Sequence, residues 1–137
     1  MMEQFERFLL SVGYQKILTG KNNIHAFFCM EGEKCRAVLC LECPDQQEWT
    51  PEQHLQMKES LRRTLTVRDN RPVELLTVLI TADLSGARVL TENDDHCWVI
   101  QPYTRELVLY ENQCSDMGGL RRRIEQFFLQ KPAAMKK

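Results

Sequence analysis

The sequence predicts an α+β domain with a mixed, largely antiparallel sheet of about five strands and three main helices packed against it. Two pairs of β-rich runs are each joined by a short polar loop, which indicates two hairpins. A fifth run, 73–81 (VELLTVLIT), is apolar at almost every position and predicts a central strand covered on both faces. Regular strand–helix–strand alternation is missing, so a mixed sheet with helices packed against it is expected.

The first predicted helix and the first hairpin fill the opening third of the chain. Residues 2–12 carry an apolar stripe at helical spacing, and Gly13 follows as the left-handed residue that ends a helix. Runs 24–30 and 35–42 flank the polar, glycine-containing loop 31–34, so they predict the hairpin. The members of the helical stripe are Phe5, Phe8, Leu9 and Val12.

The second helix is predicted from its start signal. The tetrapeptide TPEQ at 50–53 combines an N-cap threonine, a proline at the first helical position and a capping-box glutamine. The helix is expected to run to about Leu65 and to bury one apolar stripe. That stripe consists of Met57, Leu61 and Leu65.

The remaining elements follow the central strand. Residues 83–92 predict a short helix with Asp83 or Ser85 as its cap. Runs 97–101 and 106–110 form the second predicted hairpin.

A last helix is predicted after the second hairpin, capped by Ser115 or Asp116. The tail from Lys131 is expected to fray. The apolar stripe predicted for this helix consists of Leu120, Ile124, Phe127 and Phe128.

Composition predicts one soluble, cytoplasmic domain over residues 1–137. The chain has 43% hydrophobic and 27% charged residues, which are ordinary globular values. A net charge of −1 provides no global field for nucleic acid or an anionic membrane. No apolar run approaches the ~18 residues of a membrane span, and the start lacks a secretory signal. Four of the six cysteines fall in apolar strand-like runs, which favours free thiols in a reducing compartment.

Two places carry residue types that bind metals. Cys40 and Cys43 form a lone CxxC, whereas structural zinc needs four ligands and no second pair with suitable spacing follows. Asp94, Asp95 and His96 form a polar cluster that suits a divalent ion. The preferred interpretations are a core-facing Cys40 and a solvated turn before a strand, so we expect no cofactor.

Motifs for catalysis are missing. The sequence contains no G-x-S-x-G, no P-loop and no G-x-G-x-x-G, which disfavours hydrolases and nucleotide enzymes. Pro44-Asp45 does not indicate a nuclease site, because no Glu-x-Lys or Asp-x-Lys follows it to complete a metal-dependent centre. No residue is therefore predicted to be catalytic.

The second hairpin and the helix after it carry a family resemblance. Residues 98–100 (WVI), 107–113 (LVLYENQ) and 119–120 (GL) are similar to the soluble N-terminal region that precedes the membrane helices in some bacterial rhomboid-family proteins. The opening helix ending at 12–14 (VGY) is similar too. The resemblance implies an accessory cytosolic domain, because the catalytic serine and histidine of these intramembrane proteases belong to membrane-spanning helices that this chain lacks. No residue here inherits a catalytic role.

Several residues of the same region are candidates for binding a partner. A strand-to-helix corner is predicted at 110–113, and the preferred role of its side chains is to hydrogen-bond backbone groups rather than to bind a partner. These residues are Tyr110, Glu111, Asn112 and Gln113. Trp49 and Trp98, if exposed, would be better anchors for a partner surface.

Three functional hypotheses follow. The first is a non-catalytic cytosolic regulatory or protein-interaction domain, whose partner is another protein or a membrane-embedded domain of the same polypeptide. The second is a small-ligand or divalent-metal sensing domain. The third is an enzyme of unknown type. Nucleic acid is not expected as a partner.

Overall fold

Seven strands form one sheet in the order in which they occur along the chain. The structure is a computed structural model that describes residues 1–21, 23–42, 50–68, 70–92, 94, 96–110, 112–113, 116–129 and 134–136. The strands are β1 Gln15–Ile17, β2 Ile24–Glu31, β3 Lys34–Glu42, β4 Val73–Ile80, β5 Cys97–Gln101, β6 Glu106–Tyr110 and β7 Ala134–Lys136. The helices are α1 Met2–Ser11, α2 Pro51–Arg68, α3 Leu84–Glu92 and α4 Leu120–Arg123, which a π-helical turn, Ile124–Phe128, continues.

The α+β class and the mixed sheet are confirmed. Strands β2 and β3 form one antiparallel hairpin, and β5 and β6 form the other, both as predicted. Strand β4 is central, as predicted, and it pairs in parallel with both β3 and β5. Parallel pairing arises because α2 and α3 each carry the chain back along the sheet before the next strand begins. Parallel strand pairs therefore make up a larger part of the sheet than the sequence indicated.

Helices cover the sheet on both faces and give three layers. Successive strand residues point to opposite faces, so in β5 Trp98 faces one layer and Val99 the other. Helix α1, α4 and the π turn pack on one face, and α2 and α3 pack on the other. The almost continuous apolar sequence of β4 follows from burial on both of its sides.

Local signals place the helix ends where the sequence predicts them. Gly13 has a φ of +103° and ends α1, as expected for a left-handed stop. Thr50 and Gln53 form the predicted capping box, with side chain to backbone distances of 3.1 Å in both directions. Asp83 caps α3, because the backbone N–H of Gly86 donates to its Oδ1 at 3.2 Å.

The predicted cap of the last helix is wrong for Asp116, because α4 begins at Leu120 with Gly119 as its N-cap and without a side-chain cap bond. Asp116 Oδ1 instead accepts the N–H of Gly118 at 3.1 Å, and Ser115 lies outside the described residues.

The apolar stripe predicted for the last helix is wrong at Phe127, which is 73% exposed. The backbone N–H of Leu129 donates to Ile124 O at 2.8 Å, an i to i+5 bond that widens the turn. In the wider turn Phe127 faces solvent, whereas Phe128, also in the predicted stripe, stays buried and packs edge-on against Phe5 with the centroids 5.3 Å apart. Helical spacing of 3.6 residues does not hold through a π turn, so the prediction fails there.

Two short strands lie where none was predicted. Strand β1 pairs antiparallel with β2 although its three residues are too few to show a pattern. In the tail, which was expected to fray, residues 134–136 pair in parallel with β6. This pairing depends on a neighbouring backbone and not on a local sequence signal. Within the described part of the chain, no helix is both long enough and apolar enough to cross a membrane.

Candidate functional site

Trp98 is a core residue, which corrects its assignment as a partner anchor. That role was conditional on exposure, and the side chain is 0% exposed. Strand β5 has helices on both faces, so none of its side chains up to Ile100 can reach a partner. Trp49 lies outside the described residues.

The corner after β6 is held together by its own side chains. Tyr110 donates its hydroxyl to Leu84 O at 3.1 Å, and Asn112 Nδ2 donates to Thr91 O at 2.6 Å. Gln113 makes two bonds, since its Nε2 donates to Asp94 O at 2.8 Å and its Oε1 accepts the N–H of Cys97 at 2.6 Å. These bonds join the end of β6 to both ends of α3 and to the start of β5. Glu111 lies outside the described residues.

The candidate metal ligands do not converge in the part of the chain that the structure describes. Cys40 is buried under α1 with its Sγ 3.5 Å from Met2 Sδ, and Cys43 and Asp95 lie outside the described residues. Asp94 Oδ1 accepts the backbone N–H of His96 at 2.9 Å. Among the described residues, no three His, Cys, Asp or Glu side chains form a group that could hold a metal ion.

Asp94 belongs instead to a buried polar cluster with His54, Lys58 and Thr77. His54 and Lys58 are four residues apart on α2, so they share one face of the helix. His54 Nε2 lies 3.1 Å from Asp94 Oδ2 and 3.3 Å from Thr77 Oγ1. Lys58 Nζ lies 3.0 Å from the same carboxylate oxygen. The cluster fastens α2 to β4 and to the segment before β5.

The environment of Asp94 favours its ionised form. Burial by itself raises the pKa, but the hydrogen bonds from His54, from the backbone N–H of His96 and from Lys58 outweigh it and lower the pKa to about 2. The His54 side chain is only 4% exposed. A base at this position cannot contact a substrate in solution, so the cluster has a structural role.

Acidification is expected to remove the stability that Asp94 contributes. Because the folded pKa of about 2 lies below the ordinary value of 3.8, the contribution is complete above about pH 4 and is lost as pH falls towards 2. Its size is about 2 kcal/mol. Urea unfolding at pH 5 and pH 3 measures about half of this loss, since pH 3 lies between the two pKa values, and Asp94→Asn should reduce it. Glu59→Gln, an exposed carboxylate on α2, is the matched control. An identical loss in wild type and Asp94→Asn would contradict the assignment.

The main open site is a crevice of about 730 Å³ at the carboxyl ends of β3 and β4. Its walls come from the end of β3, from the residues between β4 and α3, from the loop after β5 and from the start of α1. The carboxyl edge of parallel strands is where sheets of this kind bind ligands. The lining residues are Met1, Met2, Asn23, Glu42, Ile80, Thr81, Ala82, Asp83, Pro102 and Tyr103. We call this site the strand-end crevice.

Two carboxylates in the strand-end crevice are oriented by internal hydrogen bonds. Glu42 Oε1 lies 2.9 Å from His25 Nε2. Asp83 Oδ1 accepts the Ser85 hydroxyl at 3.0 Å in addition to its bond to the N–H of Gly86. The Tyr103 side chain is 89% exposed at the rim. The crevice therefore combines fixed negative charge, an aromatic ring and apolar walls.

A second cavity of about 440 Å³ lies between α2 and the residues before β2. Its only charged side chain among the described lining residues is Lys21, and its other polar groups are amides and Ser60. It brings together less charge than the strand-end crevice does, so it is the weaker candidate.

The strand-end crevice was not predicted from the sequence. The signal was available in part, because the first hairpin, the second helix and the central strand together form a strand–helix–strand unit. Such a unit implies parallel strands, whose carboxyl ends meet at one edge. His54, which no sequence motif marks, lies in the buried cluster.

Comparison of the chain with protein-family models, with curated proteins and with solved structures finds no match.

Proposed function

We propose that this chain is a non-catalytic regulatory or protein-interaction domain that recognises its partner at the strand-end crevice. The observation that carries the proposal is the contrast between two sets of polar groups. The His54, Lys58 and Asp94 side chains are bonded to each other inside the fold. The Glu42 and Asp83 carboxylates, in contrast, line an open crevice at the edge where a partner can reach them.

The nature of the crevice favours binding over chemistry. Its oriented groups are carboxylates that also hold the fold together, since Asp83 caps α3 and Glu42 pairs with His25. Exposed Tyr103 and the half-buried Met1 side chain add contact area of the kind that anchors partners. A surface of mixed apolar and charged groups fits recognition of a protein segment.

The resemblance to rhomboid-family N-terminal regions supports a more specific proposal. The partner is then a membrane-embedded domain of the same polypeptide or a protein beside it, and the domain acts in the cytoplasm at the face of the membrane. Of the residues that carry the resemblance, 107–110 belong to strand β6, and the Asn112 and Gln113 side chains hold the corner between β6, α3 and β5. They support the proposal through the fold and not through direct contact with a partner.

Two measurements test this function. The natural gene is read past codon 137, and we expect the frame to continue into apolar spans of about 20 residues. A stop codon there, without a neighbouring gene for a membrane protein, would contradict the accessory-domain proposal.

Copurification of the domain with that membrane region is then compared between wild type and Ala82→Trp, which fills the crevice at an exposed position. We expect Ala82→Trp to abolish copurification and Val67→Trp, on the exposed side of α2, to leave it unchanged.

A small-ligand sensing domain is the second candidate, and the crevice volume favours it. About 730 Å³ lies inside the range of roughly 300–1,000 Å³ that small-molecule sites occupy. Ligand binding to the native state raises the melting temperature. For the metal-sensing form of this hypothesis, unchanged melting in millimolar zinc, manganese and calcium would count against it.

A further inference from the structure

We infer that the strand-end crevice binds an organic cation on an apolar stem, namely the side chain of a lysine or arginine presented by the partner. The inference rests on the proposed function and specifies the chemistry of the same site.

The carboxylates that would receive the cation come from the last residue of β3 and from the segment that follows the parallel strand β4. Glu42 is the last residue of β3 and pairs in register with Ile80, the last residue of β4. Asp83 follows three residues later along the chain. Each carboxylate uses one oxygen for its internal bonds, to His25 in one case and to Ser85 and Gly86 in the other. Within the described residues, the second oxygen of each makes no hydrogen bond that would compete with a ligand.

The walls of the crevice suit the stem of such a side chain. Lysine and arginine carry three or four methylene groups that gain from apolar contact while the charged head remains hydrogen-bonded. Ile80, Ala82 and Pro102 supply apolar surface in the crevice, and the Met1 and Met2 side chains close its other side. The exposed Tyr103 ring at the rim can stack with the cation.

The charges of the lining discriminate between ligands. No lysine or arginine side chain is among the described lining residues. A phosphate or carboxylate ligand would meet two negative groups, and the α-amino group of Met1 is the single cation among the described lining residues, so repulsion disfavours it. An ammonium or guanidinium group is instead attracted at the same place, and a guanidinium can bind a carboxylate in a bidentate manner.

The test is an NMR titration of the ¹⁵N-labelled chain with three probes that share a straight apolar stem of similar length and differ in the head group. Nα-acetyl-lysine amide and Nα-acetyl-arginine amide carry the cation, and Nα-acetyl-norleucine amide provides an uncharged stem. We expect saturable shifts at residues 80–83 and 103 for both cationic probes, and binding of the norleucine probe to be weaker by at least about tenfold. Added salt should weaken the binding of the cationic probes. Equal binding of the uncharged probe would overturn the inference.

The double variant Glu42→Gln/Asp83→Asn removes both charges and keeps a cap on α3, because asparagine is also a good N-cap residue. We expect it to lose binding of the cationic probes while its melting temperature stays close to that of wild type. Glu59→Gln/Glu33→Gln removes the same number of charges at exposed positions, on α2 and in the loop between β2 and β3, and should bind as wild type does. Unchanged binding in the crevice double variant would contradict the inference, as would shifts confined to another surface. If the double variant is unstable, Tyr103→Ala provides a second test, since it removes the ring from an exposed loop.

A further titration separates a side chain of a partner from a free small amine. 1-Aminopentane carries one ammonium group on an apolar stem without a peptide backbone, and we expect it to bind more weakly than a short peptide that contains one lysine. Tighter binding of this amine would overturn the assignment to a protein side chain.

The two proposals can fail separately. Binding of the cationic probes combined with normal copurification of Ala82→Trp would reject the proposed function alone. Loss of copurification without any binding of cationic probes would reject this inference alone.

Discussion

Replacement of Trp98 by alanine is expected to lower the free energy of unfolding by about 3–5 kcal/mol, the largest effect that we expect from a single substitution. The ring is completely buried in the layer between the sheet and helix α1. Truncation removes its apolar contacts and leaves a cavity that the sheet cannot close, because β5 is held on both sides by β4 and β6. Urea unfolding measures the loss.

Two comparisons make the Trp98 prediction specific. Trp98→Phe keeps most of the ring and should cost about 1–2 kcal/mol. Tyr103→Ala removes an aromatic side chain that is 89% exposed, so its effect on unfolding should be within about 0.5 kcal/mol. A Trp98→Ala variant that is as stable as wild type and has lost only partner binding would contradict this prediction. Trp98 would then be a partner anchor and not a core residue.

Replacement of Asp94 by alanine is expected to cost about 3 kcal/mol. The carboxylate accepts hydrogen bonds from Lys58, from His54 and from the backbone N–H of His96. Alanine leaves a largely buried ammonium group and a buried imidazole without their acceptor, and unpaired buried polar groups are costly. Asp94→Asn keeps one acceptor oxygen, so it should cost less, about 1–2 kcal/mol. Unfolding at pH 7 measures both variants.

A second substitution distinguishes the lost ion pair from other effects of Asp94→Ala. If the unpaired Lys58 accounts for part of the cost, Lys58→Met should be less destabilising in the Asp94→Ala background than in wild type. Glu59→Ala is the control, since this neighbouring carboxylate is exposed and should change stability by no more than about 0.5 kcal/mol. Additive effects of Asp94→Ala and Lys58→Met would show that the 3.0 Å contact between them contributes little.

Most secondary structure could be predicted because its signals are local. The capping box at 50–53 and the glycine after α1 act on backbone groups within a few residues, so the bounds of these helices follow from neighbouring side chains. The two hairpins were found for the same reason, since a short polar loop brings adjacent runs together. The central position of β4 followed from its apolar sequence, which only burial on both faces explains.

The candidate site was harder to predict because its parts are distant in sequence. In the buried cluster, His54 and Asp94 are 40 residues apart. The strand-end crevice joins Met1, Glu42, Asp83 and Tyr103, which no local pattern relates. Asp94 was noticed as a polar residue in a turn, but its partners on α2 could not be named before the packing of that helix was known.

The amino-acid sequence was sufficient for the types of the main elements, their order and the α+β class, because hydrophobic periodicity and capping depend on residues that are close along the chain. The three-dimensional arrangement was needed for the parallel pairing of β4, the burial of Trp98, the exposure of Phe127 and the meeting of two carboxylates at one edge of the sheet. These features depend on which elements pack together, and burial in a protein with two covered sheet faces is a property of that packing and not of any single segment.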